Sequence, residues 1–134
     1  MSNYRNLKVW QRAMDFVTKV YEVTNRFPPH ELYGLTSQIR RAATSIPLNI
    51  AEGAASGYDT EYQRFLRLAI RSANEVATGF EIAKRLKYCA EAEAVRCIQE
   101  ADEIAAMLQG LGKSLKKINE TPEYYFTNDL TTSD

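Results

Sequence analysis

Residues 36–55 read TSQIRRAATSIPLNIAEGAA, and this stretch decides the fold. Its apolar residues recur every three or four positions, a spacing that places them on one face of an α-helix. With the residues just before it, the stripe consists of Leu32, Leu35, Ile39, Ala42, Ala43, Ile46 and Ile50. A helix with one apolar face has to bury that face against other elements. We therefore expect a helix that begins at Pro29, runs to about Ala55 and packs onto further helices.

Pro47 lies inside this stripe and lacks the amide that would bond to the carbonyl of Ala43. We expect the second helix to kink at Pro47, with Thr44 and Ser45 placed to satisfy the backbone groups that the kink frees. The alternative is two shorter helices that are broken near Ser45. In both cases the segment is helical.

Three other segments show the same helical spacing. The first spans about Asn6 to Arg26 and is ended by Phe27-Pro28-Pro29, because proline offers no amide and disfavours the α region in the residue before it. The third spans about Thr60 to Tyr88, and the fourth spans about Glu91 to Lys117. Short connections between amphipathic helices favour up-down-up-down packing. The sequence therefore predicts an all-α fold, an antiparallel up-down-up-down four-helix bundle over residues 1–118.

The same spacing predicts which side each residue faces. Asp59 or Thr60 is placed to cap the third helix, and Gly112 on the fourth allows a neighbour to approach closely. On the first helix the expected core residues are Trp10, Ala13, Met14, Val17, Tyr21 and Thr24. The charged residues expected on its opposite side are Lys8, Arg12, Asp15, Lys19, Glu22 and Arg26. Residues 119–134 read as a polar, flexible tail.

The charge balance limits the classes of partner. The formal net charge of the 134 residues is zero, from 17 basic and 17 acidic side chains. A nucleic acid or an anionic membrane would therefore have to be met by a local patch. No apolar run approaches the ~20 residues that a membrane span requires, and the first residues lack the apolar stretch of a signal peptide. We expect one cytoplasmic domain with no membrane contact.

Residues suited to catalysis or metal binding are sparse. Cys89 and Cys97 lie eight positions apart, outside the CxxC spacing, and His30 is the single histidine. We interpret both cysteines as ordinary thiols in or beside the core. The sequence contains no Glu-x-x-His pair and no glycine-rich phosphate loop. It therefore predicts a non-enzymatic protein with no metal and no cofactor.

The second helix carries a leucine outside its stripe. Arg41, Ser45, Leu48 and Glu52 fall together on the side away from the core. Leu48 is either a scattered surface leucine, which is common, or part of a subunit interface with Arg41 and Glu52 paired in or near it. These four residues are the candidate oligomer interface.

The third helix carries three arginines opposite its core stripe. Arg64, Arg67 and Arg71 recur at three and four residues and form a short row, which we call the basic ridge. Because a guanidinium group donates two parallel hydrogen bonds, the ridge is a candidate phosphate contact. The alternative is ordinary surface ion pairing, since Glu61 and Glu75 lie close in sequence.

Arg40 and Arg41 add positive charge on the neighbouring second helix, and both are included in the candidate nucleic-acid interface. In one subunit these arginines are dispersed. In an oligomer such patches could converge.

Several stretches resemble one known family. Residues 27–53 read FPPHELYGLTSQIRRAATSIPLNIAEG. LKVW at residues 7–10, FLRLA at 65–69 and SANE at 72–75 fit as well. Over about Leu7 to Lys117 the chain resembles the family of bacterial four-helix-bundle proteins that are named for reading frames within intervening sequences of 23S ribosomal RNA genes.

This resemblance implies an antiparallel four-helix bundle that assembles into a ring-like homopentamer. A related branch, the accessory protein of diversity-generating retroelements, has a basic surface and binds nucleic acid and a reverse transcriptase, and the neutral charge of this chain departs from that branch. The family pattern often has glycine where this chain has Arg71 and Lys87, and a capping serine where it has Ala90. The third connection is therefore expected to differ locally.

The leading hypothesis is a cytoplasmic homo-oligomeric scaffold, a pentamer by the resemblance. It associates with RNA or a ribonucleoprotein through the basic ridge together with Arg40 and Arg41. The rival hypothesis is a protein-binding adaptor with no nucleic-acid contact, which uses the rim of the oligomer or the aromatic segment Tyr124-Tyr125-Phe126. An enzyme is the least supported class, because the sequence offers no pair of nucleophile and base.

Overall fold

The computed structural model of the chain describes residues 3–118, with side chains described as far as residue 115. Its four α-helices are α1 (Lys8–Thr24), α2 (Leu35–Ala55), α3 (Asp59–Leu86) and α4 (Glu91–Ile118). Two short 3-10 helices, Tyr4–Asn6 and Pro29–Glu31, precede α1 and α2. Residues 3–118 contain no strand, and none of their helices is long and apolar enough to cross a membrane. The predicted tail, residues 119–134, lies outside this range.

In cross-section the four helices surround one core, and each helix contacts two neighbours. Each of α1 and α3 packs against both α2 and α4, and within the described residues the backbones of the two diagonal pairs do not approach each other within 8 Å between Cα atoms. The direction of the chain reverses at each connection. The predicted all-α fold, an antiparallel four-helix bundle, is confirmed.

Several predicted boundaries were wrong by a few residues. The second helix begins at Leu35, because Pro29–Glu31 forms a separate 3-10 turn. The third begins one residue earlier than expected, so Asp59 lies inside its first turn. Its N-cap is Tyr58, which makes no side-chain capping bond. Helix ends are the least certain feature of a periodic pattern, because they depend on local hydrogen bonds and not on the apolar stripe.

The first turn of α2 is fixed by a carboxylate that precedes it. Oε1 of Glu31 accepts the amide of Leu35 at 2.9 Å, and Oε2 accepts the hydroxyl of Tyr88 at 2.7 Å. Both hydrogen bonds, first that from Leu35, lower the pKa of Glu31. A side chain at Gly34 would place its Cβ 2.5 Å from Oε1 of Glu31, so a larger residue there would displace this carboxylate. The carboxylate thus joins the start of α2 to the α3–α4 connection.

The core contains apolar side chains from all four helices. Its largest fully buried members are Phe80, Ile39, Ile46, Ile50, Leu66, Ile104 and Leu108. Phe27 closes one end of the core by edge-to-face packing on Phe80 and a tilted contact with Tyr88. Cys97 is buried and Cys89 half-buried, as predicted for ordinary thiols.

The buried face of α1 is displaced from the predicted one. Its buried residues are Val9, Ala13, Phe16, Val20, Val23 and Thr24. Met14 and Tyr21, both predicted to lie in the core, are 44% and 43% exposed. The helix carries two adjacent apolar stripes that obey the same three-and-four spacing, and only packing against α2 and α4 selects between them.

Two arginines predicted on the solvated side of α1 instead bind α4. Arg12 donates to Glu100 at 2.5 Å and to Glu103 at 2.6 Å. Arg26 pairs with Glu93 near the other end of both helices. Half-exposed pairs of this kind contribute roughly 0–1 kcal/mol each, so they orient α1 more than they stabilise it.

The second helix is continuous through Pro47, so the alternative of two helices broken near Ser45 is wrong. Around this site Nδ2 of Asn49 donates to the Ser45 carbonyl and hydroxyl oxygens, each at 2.8 Å. The hydroxyl of Thr44 donates to the carbonyl of Arg41 at 3.0 Å, and not to that of Ala43. The kink itself stays a prediction.

Two close approaches set the register of α2 against α3. The hydroxyl oxygens of Ser45 and Ser72 are 2.9 Å apart, and Gly79 packs directly on Ile39. A Cβ on Gly79 would lie 2.5 Å from Cγ1 of Ile39. Serine and glycine therefore allow these two helices to approach more closely than larger residues would.

The α3–α4 connection contains a residue of unusual backbone conformation. Lys87 has φ 61° and ψ 38°, in the left-handed region at the C-cap of α3. This is a conformation that favours glycine. Lysine holds the same turn at a cost of about 1 kcal/mol.

A matched pair of glycine substitutions tests the close approach of α2 and α3. We expect Gly79→Ala to lower the free energy of unfolding by about 1–3 kcal/mol, because Ile39 has to move. We expect Gly110→Ala on α4, where a Cβ meets nothing within 4 Å, to raise it by about 0.5–1 kcal/mol. Urea unfolding followed by circular dichroism measures both changes. Equal effects at the two positions would contradict the tight contact.

A second prediction concerns the pH dependence of stability. Because the folded pKa of Glu31 is depressed below its ordinary 4.5, its contribution is present above that pH and is lost as the pH falls through the folded pKa. We expect Glu31→Gln to melt at a lower temperature than the native chain at neutral pH, and the difference to shrink on acidification. Thermal melts over the acid range measure this difference in melting temperature. Glu22→Gln, at an exposed position on α1, is the control. A difference in melting temperature that does not change with pH would refute the depressed pKa of Glu31.

Candidate nucleic-acid interface and self-association face

One side of the bundle combines exposed apolar residues with a polar cavity. We call it the outer α2–α3 face and define it by Tyr33, Arg41, Ser45, Leu48, Ser72, Glu75, Ile82 and Leu86. A surface cavity of about 510 Å³ lies on it, bounded by Tyr33, Arg41, Ser45, Ser72 and Glu75 among others. Ser45 and Ser72, whose hydroxyl groups contact each other, both line it.

Large apolar side chains on this face are open to solvent. Tyr33 is 94% exposed and Leu48 66% exposed on the α2 side. On α3, Leu86 is 51% and Ile82 43% exposed. Ile82 follows Glu75 by two helical turns, so both lie on the same side of α3. Leu86 follows Ile82 by one turn, and apolar residues exposed together on one side, unlike scattered single ones, indicate a contact surface.

The structure places the four candidate interface residues on this side of α2. Arg41 and Ser45 line the cavity, and Leu48 and Glu52 are exposed. Arg41 and Glu52 are eleven positions apart, about 16 Å along the helix, so their side chains do not pair within one chain. In the described part of the chain Arg41 forms no ion pair.

The three arginines of the basic ridge have different surroundings. Arg64 pairs with Glu61 at 2.7 Å, as the alternative interpretation predicted, and its guanidinium lies over the Phe65 ring. Arg67 and Arg71 are exposed, and neither forms an ion pair with a described residue. The expected pairing of Glu75 with Arg71 is therefore not present. Two of the three guanidinium groups are available to a ligand.

The two arginines of α2 do not extend the basic ridge. Arg40 donates from Nε to the hydroxyl of Thr24 at 2.9 Å and lies over the Tyr21 ring at 4.5 Å. Both partners belong to α1, which is diagonal to α3, so Arg40 is part of the α1–α2 contact. Arg41 shares its cavity with Glu75, which offsets its charge.

A basic residue that the sequence did not single out lies across from the basic ridge. Arg67 and Lys113 line opposite sides of a cavity of about 470 Å³ between α3 and α4, which we call the α3–α4 cleft. Gly112 allows the close approach predicted for it, because Nε2 of Gln63 donates to its carbonyl at 2.5 Å. Helical spacing placed Arg67 and Lys113 on separate helices, and only the packing of α3 on α4 brings them to one cavity.

The cysteines are poorly suited to nucleophilic chemistry. Burial raises the pKa of Cys97 to about 11, and burial together with the Glu93 carboxylate raises that of Cys89. Both therefore remain thiols at neutral pH. Within the described residues, histidine, cysteine and carboxylate side chains form no group of three or more that could hold a metal.

A family model described as 23S rRNA-intervening sequence protein matches residues 5–110. The chain belongs to this family. The match includes α1, α2, α3 and most of α4, and so contains both the outer α2–α3 face and the basic ridge. A comparison with curated proteins found no match.

A solved structure has the same fold as this 23S rRNA-intervening sequence protein. It is that of a protein of unknown function from the S23 ribosomal protein family of Bacteroides thetaiotaomicron. The TM-score is 0.72 at 23% sequence identity, over 78% of this chain and 98% of that chain. At this identity the similarity shows the fold alone.

Proposed function

We propose that this protein is a non-enzymatic, cytoplasmic scaffold that assembles with copies of itself through the outer α2–α3 face and associates with RNA through the basic ridge. The observation that carries the proposal is the exposure of Tyr33, Leu48, Ile82 and Leu86 on the outer α2–α3 face, which holds four of the eight large apolar residues that are exposed in the described part of the chain. Folding of a single chain does not require these residues there.

Burial of this face gives self-association its driving force. Apolar surface removed from water contributes roughly 25 cal/mol per Å², and a fully buried leucine or isoleucine contributes about 1.5–3 kcal/mol. Leu48 stands one turn from Ser45 on α2, while Ile82 and Leu86 lie farther along α3. The apolar residues therefore flank the polar cavity on both sides, as a hydrophobic contact around a polar centre requires.

The charges on the face favour a specific arrangement of subunits. Arg41 and Glu75 face the cavity, and neither forms an ion pair with a described residue. A neighbouring copy that brings Glu75 to Arg41 would satisfy both charges, and one that brings Glu52 there would satisfy that of Arg41. By the family resemblance the assembly is a closed ring of five, which requires two different patches on each subunit to meet.

RNA is the partner that the basic ridge fits. Arg67 and Arg71 are exposed and without ion pairs in the described part, and the Arg64–Glu61 pair is exposed to solvent, so it is weak and can exchange for a phosphate. The outer α2–α3 face lies toward α2, while Arg67 borders α4. A ring formed through the first surface would leave Arg67 accessible and repeat it in every subunit, which multiplies weak contacts.

Replacement of Leu48 tests self-association. We expect Leu48→Glu to shift the protein toward lower mass, because a carboxylate cannot be buried in an apolar contact without a partner. Light scattering coupled to size exclusion measures the mass. Met14→Glu, at a half-exposed apolar residue on α1, is the matched control and should keep the native mass. An unchanged mass for Leu48→Glu would dispose of this interface.

Replacement of the basic ridge tests RNA association. We expect the triple variant Arg64→Gln, Arg67→Gln and Arg71→Gln to bind structured RNA more weakly and with a shallower salt dependence, because each lost phosphate contact reduces the log–log slope by about 0.7–0.9. Mobility-shift titrations at several salt concentrations measure both quantities.

The control for RNA association removes the same charge elsewhere. It combines Lys8→Gln, Lys19→Gln and Arg96→Gln, at exposed positions on α1 and α4. Equal losses of RNA affinity in the two triple variants would show that net charge, and not the basic ridge, causes the effect. Absence of RNA binding by the native oligomer at micromolar concentration would overturn the RNA part of the proposal and favour the protein-binding adaptor.

A further inference from the structure

We propose that the α3–α4 cleft binds one nucleoside phosphate unit, with the phosphate held between Arg67 and Lys113 and the base seated in the recess between the helices. The inference rests on the RNA part of the proposed function, to which it adds a site and a chemical unit. The same unit occurs as a free nucleoside monophosphate and as an unpaired nucleotide within RNA.

The charges of the cleft fit a phosphate. Arg67 reaches it from α3 and Lys113 from α4, both are exposed, and in the described part neither forms an ion pair. Two like charges brought to one cavity repel each other, and an anion between them removes that repulsion. The planar guanidinium offers two parallel donors and the ammonium a rotatable one, and together they suit a dianionic group.

The recess fits a base in size and in lining. Its volume of about 470 Å³ lies in the usual range for small-ligand cavities. Leu66 and Leu108 border it but are fully buried, so the apolar floor that a ligand can reach is formed by the half-buried Ile70. An aliphatic floor accepts the flat face of a heterocycle, and the guanidinium of Arg67 can lie against that face as well.

Two amide side chains border the apolar floor. Gln63 uses Nε2 to donate to the Gly112 carbonyl, and this bond fixes the amide at the rim. Gln109 is exposed on α4 and lines the same cleft. An amide presents a donor and an acceptor side by side, which is what the edge of a base requires.

The position of the cleft favours an unpaired nucleotide over a duplex. The bases of double-stranded RNA are stacked inside it, whereas a nucleotide in a loop or a single strand can enter a recess. Arg71 stands one turn beyond Arg67 on α3 and is placed to hold the next phosphate. A single strand would therefore run along the basic ridge with one base inserted at the α3–α4 cleft.

The test measures binding of four probes to the full chain by calorimetry: adenosine monophosphate, inorganic phosphate, a single-stranded RNA decamer and a blunt RNA duplex. We expect the nucleotide to bind more tightly than phosphate and the single strand more tightly than the duplex. Lys113→Gln should weaken nucleotide and single-strand binding by about 10-fold or more, since it removes a charged hydrogen bond. Lys113 lies off the basic ridge, so its effect reports on the cleft.

A second variant keeps both charges and fills the recess. Gln109→Trp should abolish nucleotide binding while leaving that of inorganic phosphate. Lys84→Gln, near the far end of α3, is the charge-matched control and should bind as the native chain does. All three positions are at the surface, and circular dichroism verifies that each variant folds.

The outcomes separate the two proposals. If RNA binding depends on the basic ridge but not on Lys113, and no nucleotide binds, the proposal for the α3–α4 cleft is overturned. The proposed RNA association then stands. Nucleotide binding that depends on Lys113, with no RNA bound, supports the cleft as a site for the free nucleotide and overturns the RNA association. If inorganic phosphate binds as tightly as the nucleotide, the claim that the recess holds the base is overturned.

Discussion

The close contact between α2 and α3 is the constraint on which the rest of the molecule depends. Gly79 lets the helices approach until Ile39 fills the space of a side chain, and Ser45 meets Ser72 in the same register. Larger residues at these positions would separate the helices and open the core. Because the register is fixed, the residues outside the contact are fixed as well, and Leu48 is left in solvent. One packing arrangement thus produces both the core and the outer α2–α3 face.

The first helix is attached by a different kind of interaction. It contributes a narrow buried stripe, and its outer edges are joined to α4 by Arg12 and Arg26 and to α2 by Arg40. These contacts are charged or half-exposed, so each contributes little to stability, but together they fix how α1 is rotated. Arg40 takes part in the α1–α2 contact and does not face the basic ridge. A basic residue beside a predicted ligand surface can therefore belong entirely to the architecture.

A neutral chain can still carry separate charged regions. Acidic residues pair with arginines along the α1–α4 contact, whereas Arg67, Arg71 and Lys113 lie on and beside α3 with no ion pair in the described part of the chain. Formal net charge excludes a global field but says nothing about such local excess. What decides the local field is which helix faces which, and that follows from packing.

The sequence by itself determined the number of helices, their approximate limits and most of the core, because a three-and-four apolar spacing has one structural meaning when it recurs in four segments. It also identified Leu48 as an exposed leucine and Arg64 as the partner of Glu61, since both follow from positions within one helix. Only the tertiary structure decided which of two apolar stripes α1 buries, that Arg40 turns to α1, and that Lys113 joins Arg67. Those relations lie between helices, where spacing along a single chain carries no information about rotation or register.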